Sequence, residues 1–292
     1  MANQLPAAPV ISILNMKGGV GKTTISAHLF RHLVDRLNKS VLLIDFDPQF
    51  NLTQTLMSRA AFEKTKIANK TIFSVMEPAP EPSLFKITSG LGPPPSVESV
   101  VEPLRVWSHT KKPAISLLAG DFRMTKYTMV DDQKALQPVR NRFLEFVNNA
   151  RQQYDLVCID CNPSSSFMTV CALLASTHLL VPVRPDRYSI LGLELLNEFI
   201  DHVPILTNKP KQIVLINGTA AKHDMNVENT LRADPKLGPI TLPTTLKFSG
   251  LLSAKEGQTG FATERKVAHM NALKQRFSRI VDDLKAPLGW QP

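Results

Sequence analysis

The sequence predicts an α/β protein in which a doubly wound, mostly parallel sheet is flanked by helices. Two observations predict this fold class. Several short segments are continuously apolar, as in strands whose two faces are both covered, and amphipathic segments separate them along the chain. The chain has 292 residues, 43% of them hydrophobic. This size suits one large α/β domain over residues 1–292 with a substantial core.

The predicted strands are short apolar runs with turn residues after them. They cover 10–14, 41–45, 156–160, 178–183 and 212–217, with one more strand near the "ISLLAG" at 115–120. Between the strands, 135–153 and 189–203 carry apolar residues at helical spacing. Strand–helix–strand alternation of this kind is typical of a parallel sheet covered by helices.

Two segments break this alternation. Residues from about 77 to 112 are dense in proline and glycine, which predicts an irregular surface excursion rather than a separate domain. Residues from about 262 to 285 carry apolar side chains on one helical face, beginning with Val267 and Met270. We expect this C-terminal helix to pack on the sheet. A membrane-binding helix is the alternative, which its mixture of both charge signs disfavours.

Composition limits the classes of partner. Lysine and arginine exceed aspartate and glutamate by 34 to 25, and the pI is about 9.5, which favours polyanions such as nucleic acid. No apolar run is long enough to span a bilayer, and the N-terminus lacks a secretory signal pattern, so we expect a cytoplasmic protein. Cys158 and Cys161 form a C-x-x-C that could indicate metal or redox chemistry. Without a second pair to complete a zinc site, burial at a strand end is the favoured interpretation.

The segment 17–24, "KGGVGKTT", has the pattern of a phosphate-binding loop between a strand and a helix. Its glycines let backbone N–H groups turn inward and form a concave anion site, and the following helix, predicted to begin at Thr24, directs its positive end to the phosphates. Lys22 is expected to reach the β- and γ-phosphates, and Thr23 to offer its hydroxyl to Mg²⁺. The predicted nucleotide-binding residues of the loop are Lys17, Gly18, Gly19, Val20, Gly21, Lys22, Thr23 and Thr24.

Aspartates follow two of the predicted strands. Asp160 ends the strand 156–160, which is the usual place of the carboxylate on the metal side of the site in proteins with a phosphate-binding loop of this kind. Asp45 and Asp47 end the strand that begins at 41, and their alternation places both on one side. A helix N-cap or a turn would explain one aspartate, but two beside a phosphate loop favour catalysis.

These motifs together resemble the ParA/MinD family of dimeric ATPases. The segment 17–24 resembles the family's deviant Walker A motif, in which Met16 stands where an ordinary loop has glycine. "LLIDFDPQFNLTQTL" at 42–56 is similar to its A′ and switch I segment, and "YDLVCIDCNPSSS" at 154–166 to its Walker B and switch II. The segments 179–196 and 242–261 also resemble family segments. The likeness covers nearly the whole chain and is closer to partition ATPases than to MinD.

The resemblance implies roles for single residues. Lys17 would cross a sandwich dimer and touch the phosphates bound by the other subunit, which offsets the repulsion of two facing nucleotides. Asp47 would position the attacking water, and Lys22 and Lys17 would complete the catalytic set. Thr23 and Asp160 would serve Mg²⁺, Asp160 through water. ATP and Mg²⁺ are therefore the implied cofactors.

The resemblance also places an adenine site and marks departures. Asn217 and Pro243 match positions that line the adenine in relatives. Phe50 stands where the family's D-P-Q-G-N run has glycine, and Asn162 stands where proline usually follows the Walker B segment. These two departures put the geometry of switch I and switch II in question.

The function that the resemblance implies is that of a partition or cargo-positioning ATPase. ATP would bring two monomers together, the dimer would bind DNA nonspecifically on the nucleoid, and a ParB-like partner or cargo adaptor would stimulate hydrolysis. Phosphate contacts would dominate, because no DNA-reading domain precedes the loop. The candidate DNA contacts are the basic residues Arg232, Lys236, Lys247, Lys255, Arg265 and Lys266.

Three alternatives remain open on this fold. A MinD-like positioning ATPase would bind membrane through its C-terminal helix. An iron-protein-like reductase or cluster scaffold would need cysteines that bridge two subunits, and Cys161 lies inside the expected nucleotide site instead. A regulatory ATPase of another system would differ from a partition ATPase in its partner, which the motifs do not identify.

Overall fold

The computed structural model describes residues 7–78, 83, 85–88, 90–110, 112–164, 166–219, 225–253 and 258–291, with the backbone alone for Pro113 and Arg187. Within these residues there are eight strands. They are β1 (Val10–Ile13), β2 (Val41–Phe46), β3 (Glu102–Val106), β4 (Pro113–Leu118), β5 (Leu156–Cys161), β6 (His178–Val183), β7 (Lys211–Thr219) and β8 (Leu246–Lys247).

The strands form one sheet in the order β3-β4-β2-β5-β1-β6-β7-β8. Every neighbouring pair is parallel except β3 and β4, which are antiparallel. The doubly wound, mostly parallel sheet that the sequence predicts is therefore confirmed, with an antiparallel strand added at one edge. Parallel neighbours bring the carboxyl ends of the strands to a common edge, where α/β proteins bind their ligands.

Helices connect the strands and cover both faces. They are α1 (Lys22–Leu37), α2 (Asn51–Leu56), α3 (Arg59–Ile67), α4 (Ile72–Met76), α5 (Val97–Val100), α6 (Gln133–Ala150), α7 (Phe167–Ala175), α8 (Arg187–Asp201), α9 (Met225–Ala233) and α10 (Met270–Lys285). The phosphate-loop helix begins at Lys22, two residues before the predicted start. The N-cap residue before it is Gly21, whose left-handed backbone (φ 91°) suits glycine.

The core lies on both faces of the sheet. In β2, Leu42 and Ile44 belong to the cluster beneath α6 and α7, whereas Val41 and Leu43 belong to the cluster beneath α1 and α10. All six residues of β2 are buried. This two-sided burial is why the strands are continuously apolar in sequence instead of alternating.

The prediction of an irregular surface excursion at 77–112 is wrong for part of that segment. It contains α5 and the edge strand β3. Leu91 and Val97 are buried and join the core cluster beneath α6. Apolar side chains spaced between prolines gave no regular periodicity, so the sequence pattern did not predict these contacts.

A single guanidinium fastens this segment to the core. Arg142 of α6 donates to the carbonyls of Val75 (3.0 Å), Leu91 (2.6 Å) and Gly92 (2.7 Å), and also to that of Pro93. These charge-assisted bonds satisfy backbone acceptors that regular structure would otherwise pair.

The C-terminal helix begins later than predicted. Residues 262–264 form a separate 3-10 turn, and α10 starts at Met270. His269 has a left-handed backbone (φ 63°), which interrupts a continuous helix. Val267 is 47% exposed and does not lie on the buried face, whereas Phe277 and Ile280 are fully buried against the sheet. Among the described residues, no helix combines the length and apolar character needed to cross a bilayer.

Candidate nucleotide-binding site

A pocket lies at the carboxyl edge of the sheet, above β1, β2 and β5. Its volume is about 830 Å³. β1 lies between β5 and β6, and the chain leaves the sheet here toward opposite faces, which is where doubly wound proteins bind ligands. The predicted residues that line this pocket are Gly18, Gly19, Gly21, Lys22, Thr23, Thr24 and Asp47.

The β1–α1 loop has the backbone of an anion site. Gly19 and Gly21 have left-handed φ angles of 73° and 91°, which let successive N–H groups face a common point. A Cβ at Gly21 would lie 2.4 Å from the Asn217 amide nitrogen, so a larger residue does not fit there. The positive end of α1 faces the same point and favours bound phosphate.

Lys22 extends along the inside of this loop. Its ammonium donates to the carbonyls of Lys17 (3.2 Å) and Asn15 (3.4 Å), and the residue is 7% exposed. Burial lowers the pKa of Lys22, while the nearby charges of Asp160 and Asp47 raise it. A desolvated cation held by neutral carbonyls is well placed to bind phosphate oxygens.

Asp160, at the end of β5, has the properties of a metal-side carboxylate. Its Oδ1 accepts a hydrogen bond from the Ser26 hydroxyl (2.7 Å), and its buried Oδ2 has no hydrogen-bond partner among the described residues. Burial raises its pKa to about 6, and the hydroxyls of Ser26 and Thr23 oppose this shift. Mg²⁺ prefers oxygen ligands and often binds through water. The unpaired oxygen and the Thr23 hydroxyl beside it fit such an ion.

Asp47 faces the pocket from the loop after β2. It is 8% exposed, and its Oδ1 accepts from the Gln49 backbone N–H (2.9 Å). Burial raises the pKa of Asp47, whereas the Gln49 N–H and the charge of Lys22 lower it. The carboxyl is therefore fixed by the backbone at the edge of the phosphate site.

Asp45 does not share this position, although the sequence placed both aspartates together. It is fully buried, and its Oδ2 accepts from the backbone N–H (2.8 Å) and the hydroxyl (2.7 Å) of Thr53. Burial raises its pKa to about 8. Asp45 therefore anchors α2 beneath the pocket and is not among the residues that line it.

Phe50 has a left-handed backbone conformation, which glycine adopts easily and which accounts for glycine at this position in the family that the sequence resembles. Its φ of 43° lies in the left-handed region, which a bulky residue occupies only with strain. The ring stacks on Phe62, with centroids 5.1 Å apart, and a Cβ at Gly120 would lie 2.6 Å from the Phe50 Cβ. Packing against α3 and the absence of a side chain at Gly120 accommodate the phenylalanine.

Lys17 is not among the residues that line the pocket. Its ammonium lies 3.5 Å from Asp186 Oδ1 and 4.8 Å from the Tyr188 ring centre. Its backbone N–H donates to the Asn15 side chain (2.8 Å). Tyr188 is 70% exposed, so this group lies at the surface beside the start of α8.

The two residues predicted for the adenine occupy different places. Asn217, at the end of β7, donates its side-chain amide to the Val20 carbonyl (2.7 Å) and so adjoins the phosphate loop. The Pro243 carbonyl accepts from Arg232 (3.2 Å). Neither is among the residues that line the pocket.

Other lining residues were not singled out as binding residues from the sequence. They are Pro48, Gln49, Asn51, Phe122, Thr125, Asn162, Pro163 and Arg184. Arg184 follows β6 directly and lies over Gly218, where a Cβ would approach its Nε to 3.2 Å. A charged residue just after a buried strand was the available signal for Arg184. Phe122 and Thr125 follow β4, and nothing in their pattern indicated that this turn faces the loop.

The predicted DNA contacts are spread over the C-terminal third of the chain. Lys236, Lys247 and Lys266 are exposed and Arg265 is half-buried. Arg232 is half-buried and is engaged within the subunit, because it pairs with Glu228 (2.9 Å) and donates to the Leu242 and Pro243 carbonyls. Lys255 lies outside the described residues.

The cysteines take no part in the pocket. Cys158, Cys161 and Cys171 are free and buried, and burial raises the pKa of each thiol. Among the described residues, no group of three or more histidine, cysteine, aspartate or glutamate side chains is arranged to hold a metal ion.

Comparison with known proteins identifies relatives of the chain. A family model described as an AAA domain matches residues 8–213. The chain is 28% identical to an uncharacterised protein of Methanocaldococcus jannaschii, over 70% of each chain. It is 34% identical to the sporulation initiation inhibitor protein Soj of Bacillus subtilis, over 64% of this chain and 63% of Soj. It is 28% identical to a ParA family protein of Chlamydia trachomatis, over 66% of this chain and 65% of that protein. The chain thus spans less than two thirds of the last two.

Solved structures have the same fold. A putative plasmid partition protein of Borrelia burgdorferi bound to AMPPNP superposes with a TM-score of 0.66 at 17% identity, over 96% of this chain and 99% of that one. pNOB8 ParA bound to nonspecific DNA superposes with a TM-score of 0.63 at 20% identity, over 97% of this chain and 99% of that one.

Proposed function

The chain belongs to the AAA domain family and is a ParA-type member of it, and on that premise we propose that it is an ATP-dependent dimerising ATPase. It binds ATP with Mg²⁺ in the pocket above β1 and hydrolyses it to ADP and phosphate. In its ATP-bound dimer it binds DNA nonspecifically and positions plasmid DNA, chromosomal DNA or another cargo.

One observation carries this proposal. Lys22 and Asp47 line the pocket at the start of α1. Asp160 lies beside them, bonded to Ser26 of α1 and close enough to interact with the charges of Lys22 and Asp47, and its buried Oδ2 has no hydrogen-bond partner among the described residues. A buried carboxylate oxygen without a partner is costly unless a ligand satisfies it. A metal–polyphosphate ligand supplies both the positive ion for that oxygen and the negative charge for the loop.

The residues divide the chemistry of phosphoryl transfer among them. The N–H groups of the loop and Lys22 bind the β- and γ-phosphates, and Thr23 and Asp160 would hold Mg²⁺. The ion would supply positive charge to offset the charge that develops on the phosphate oxygens. Asp47 orients a water whose oxygen forms a bond to the γ-phosphorus, as the bond from that phosphorus to the bridging oxygen breaks. Positioning and charge stabilisation therefore account for catalysis.

Lys17 has a separate task in this proposal. Its position outside its own pocket suits a residue that reaches a nucleotide on a second copy of the chain. The two bound nucleotides of a sandwich dimer repel each other, and a lysine from each subunit offsets that repulsion. ATP then controls association, and its hydrolysis releases the subunits.

DNA binding rests on charge. The formal charge of the chain is +9, and Lys247, Arg265 and Lys266 all precede α10 in the C-terminal part of the chain. One structural relative, pNOB8 ParA, is described in complex with nonspecific DNA. Contacts of this type are made to phosphates and weaken steeply with salt. A ParB-like protein or a cargo adaptor is the proposed partner that stimulates hydrolysis, and nucleoid DNA is the proposed location of the ATP-bound dimer.

A retention experiment tests the proposal. The full chain is applied to immobilised duplexes of two unrelated sequences with ATP and Mg²⁺, with ADP and Mg²⁺, or with neither. We expect the chain to be retained equally on both duplexes with ATP and Mg²⁺ and not under the other two conditions. Raising the salt concentration should release it, and light scattering in the ATP buffer should show a dimer. A chain that stays monomeric in ATP, or that is retained on DNA equally with ATP, with ADP and without nucleotide, would contradict the proposal.

A further inference from the structure

A short turn before α10 joins three parts of the molecule through Glu264. Its Oε1 accepts from Arg31 Nε of α1 (2.8 Å) and from Arg105 Nε of the edge strand β3 (3.0 Å), and its Oε2 accepts from Arg105 Nη2. The Glu264 carboxylate therefore binds two guanidinium groups, and Arg105 contacts both of the carboxylate oxygens. We name Glu264, Arg31 and Arg105 the Glu264 clamp.

An aromatic ring completes this cluster. Phe261 is 4% exposed, and the guanidinium carbons of Arg31 and Arg105 lie 5.6 and 5.4 Å from its ring centre. Cations over a ring face are attracted by its quadrupole. Each arginine is thus held both by the Glu264 carboxylate and by the Phe261 ring, and only 13% of the Arg31 side chain is exposed.

The same turn is bonded to the nucleotide side of the protein. The Gly260 N–H donates to the Thr55 carbonyl of α2 (2.8 Å), and α2 follows the loop that carries Asp47. Arg31 lies on α1, the helix that begins at the phosphate loop. The turn therefore touches both elements that adjoin the γ-phosphate position, together with the outermost strand of the sheet.

Arg265 and Lys266 follow Glu264 directly. We propose that the Glu264 clamp positions Arg265 and Lys266 for phosphate contacts with DNA, which gives the edge strand β3 a part in DNA binding through Arg105. This inference rests on the proposed function and adds positioning residues to it. None of the three clamp residues needs to touch DNA itself.

A purely electrostatic account and the clamp predict opposite effects on DNA binding when Glu264 is neutralised. An acidic side chain beside a DNA surface repels phosphate, so neutralising it should tighten binding if charge alone matters. Neutralising Arg105 should weaken binding on the same basis. If the clamp positions the turn, both changes must weaken binding, although they alter the net charge in opposite directions.

The experiment uses Glu264→Gln and Arg105→Gln in the full chain, with fluorescence anisotropy of a labelled duplex in ATP and Mg²⁺ across a salt series. We expect both variants to bind at least fivefold more weakly than the unmodified protein. Loss of one or two ordered phosphate contacts should also reduce the slope of log K against log salt by about 1 to 2. Glu63→Gln and Arg59→Gln, on the exposed face of α3, are the charge-matched controls.

Arg105→Lys separates positioning from charge and from folding. It keeps the positive charge on an edge strand where Arg105 is nearly half exposed, but a lysine lacks the planar fork that makes parallel hydrogen bonds to both carboxylate oxygens. We expect it to weaken DNA binding and lower the salt slope while ATP turnover without DNA and the unfolding temperature stay unchanged.

Two outcomes overturn the inference. One is tighter binding by Glu264→Gln, equal to that of Glu63→Gln; the other is an unchanged salt slope in Arg105→Lys. If the unmodified protein itself fails to bind the duplex in ATP, the proposed function falls with it, so the two failures are distinguishable.

Discussion

Lys17 and Asp186 form an ion pair within one subunit, with 3.5 Å between Nζ and Oδ1. Asp186 is also the N-cap of α8, because its Oδ1 accepts the Ser189 backbone N–H (2.8 Å). The two side chains are 34% and 39% exposed, and pairs of this kind contribute about 0–1 kcal/mol. In the proposed dimer, a nucleotide phosphate bound by the second subunit would therefore be able to displace Asp186 from Lys17.

Lys17→Ala should abolish ATP-driven dimerisation and leave the monomer folded, because Lys17 lies outside its own pocket. ATP binding by the monomer should change less than threefold. Sedimentation velocity with ATP measures the first result, and a fluorescent ATP analogue measures the second. A dimer of unchanged affinity would contradict the role of Lys17 across the interface.

Asp186→Asn is the matched variant for Lys17. Asparagine still caps a helix, so α8 should keep its start, while the lysine loses its ionic partner. We expect the dimer to form about two- to fivefold more tightly in ATP, in line with a surface pair of up to about 1 kcal/mol. Weaker dimerisation would mean that Asp186 contributes to the interface itself.

Asp47→Ala should bind ATP and hold the dimer in its ATP state. Without the carboxyl, water loses its orientation, whereas the loop and Lys22 still bind the phosphates. Turnover should fall by about 100-fold or more, the usual contribution of a positioned acid–base group. Phosphate release measures turnover, with Asp45→Asn as a comparison that should act through stability. Normal turnover in Asp47→Ala would assign the water to another residue.

The sequence predicted most of the sheet and the glycine-rich loop that lines the pocket, because both depend on local patterns. Buried parallel strands are apolar along their length, and the loop needs glycines at fixed spacing. It did not separate Asp45 from Asp47, because which carboxyl faces the pocket depends on Thr53 of the following helix. It also missed β3 and the lining residue Phe122, whose positions depend on contacts between segments far apart in the chain.

Glu77 and Lys126 form a fully buried ion pair, with 2.7 Å between Oε1 and Nζ. Burial alone would raise the pKa of Glu77, but hydrogen bonds from Lys126, Thr88 and Tyr127 lower it below its ordinary value. Lys126→Met removes the ammonium and leaves a buried carboxylate without its cation. The free energy of unfolding should fall by about 3–5 kcal/mol, measured by urea denaturation.

The double variant Lys126→Met with Glu77→Gln is the control for that pair. A neutral glutamine can still bond to the Tyr127 hydroxyl and the Thr88 N–H, so no charge is left buried. The double variant should lose at least about 1 kcal/mol less than the sum of the two single changes. Additive losses would show that the two side chains do not interact energetically.

His28 should make the stability of the protein depend on pH between about 6.5 and 4. It is 2% exposed on the inner face of α1, its Nδ1 has no hydrogen-bond partner among the described residues, and burial lowers its pKa to about 4, with the charge of Arg265 acting in the same direction. Above pH 6.5 the histidine is neutral in both states and the stability is complete. As the pH falls toward 4, the unfolded chain takes up a proton that the folded protein excludes, so the free energy of unfolding falls, by up to about 3 kcal/mol.

His28→Leu should remove that part of the acid sensitivity, because leucine fills a similar volume and does not titrate. Urea denaturation at pH 7.0 and 4.5 should show a smaller difference for the variant than for the unmodified protein. The exposed His109→Gln serves as the control and should leave the difference unchanged. His32 and His178 also have lowered pKa values, so some acid sensitivity should persist in His28→Leu. If the variant loses as much stability as the unmodified protein between these two pH values, the neutral, buried state of His28 is not the cause.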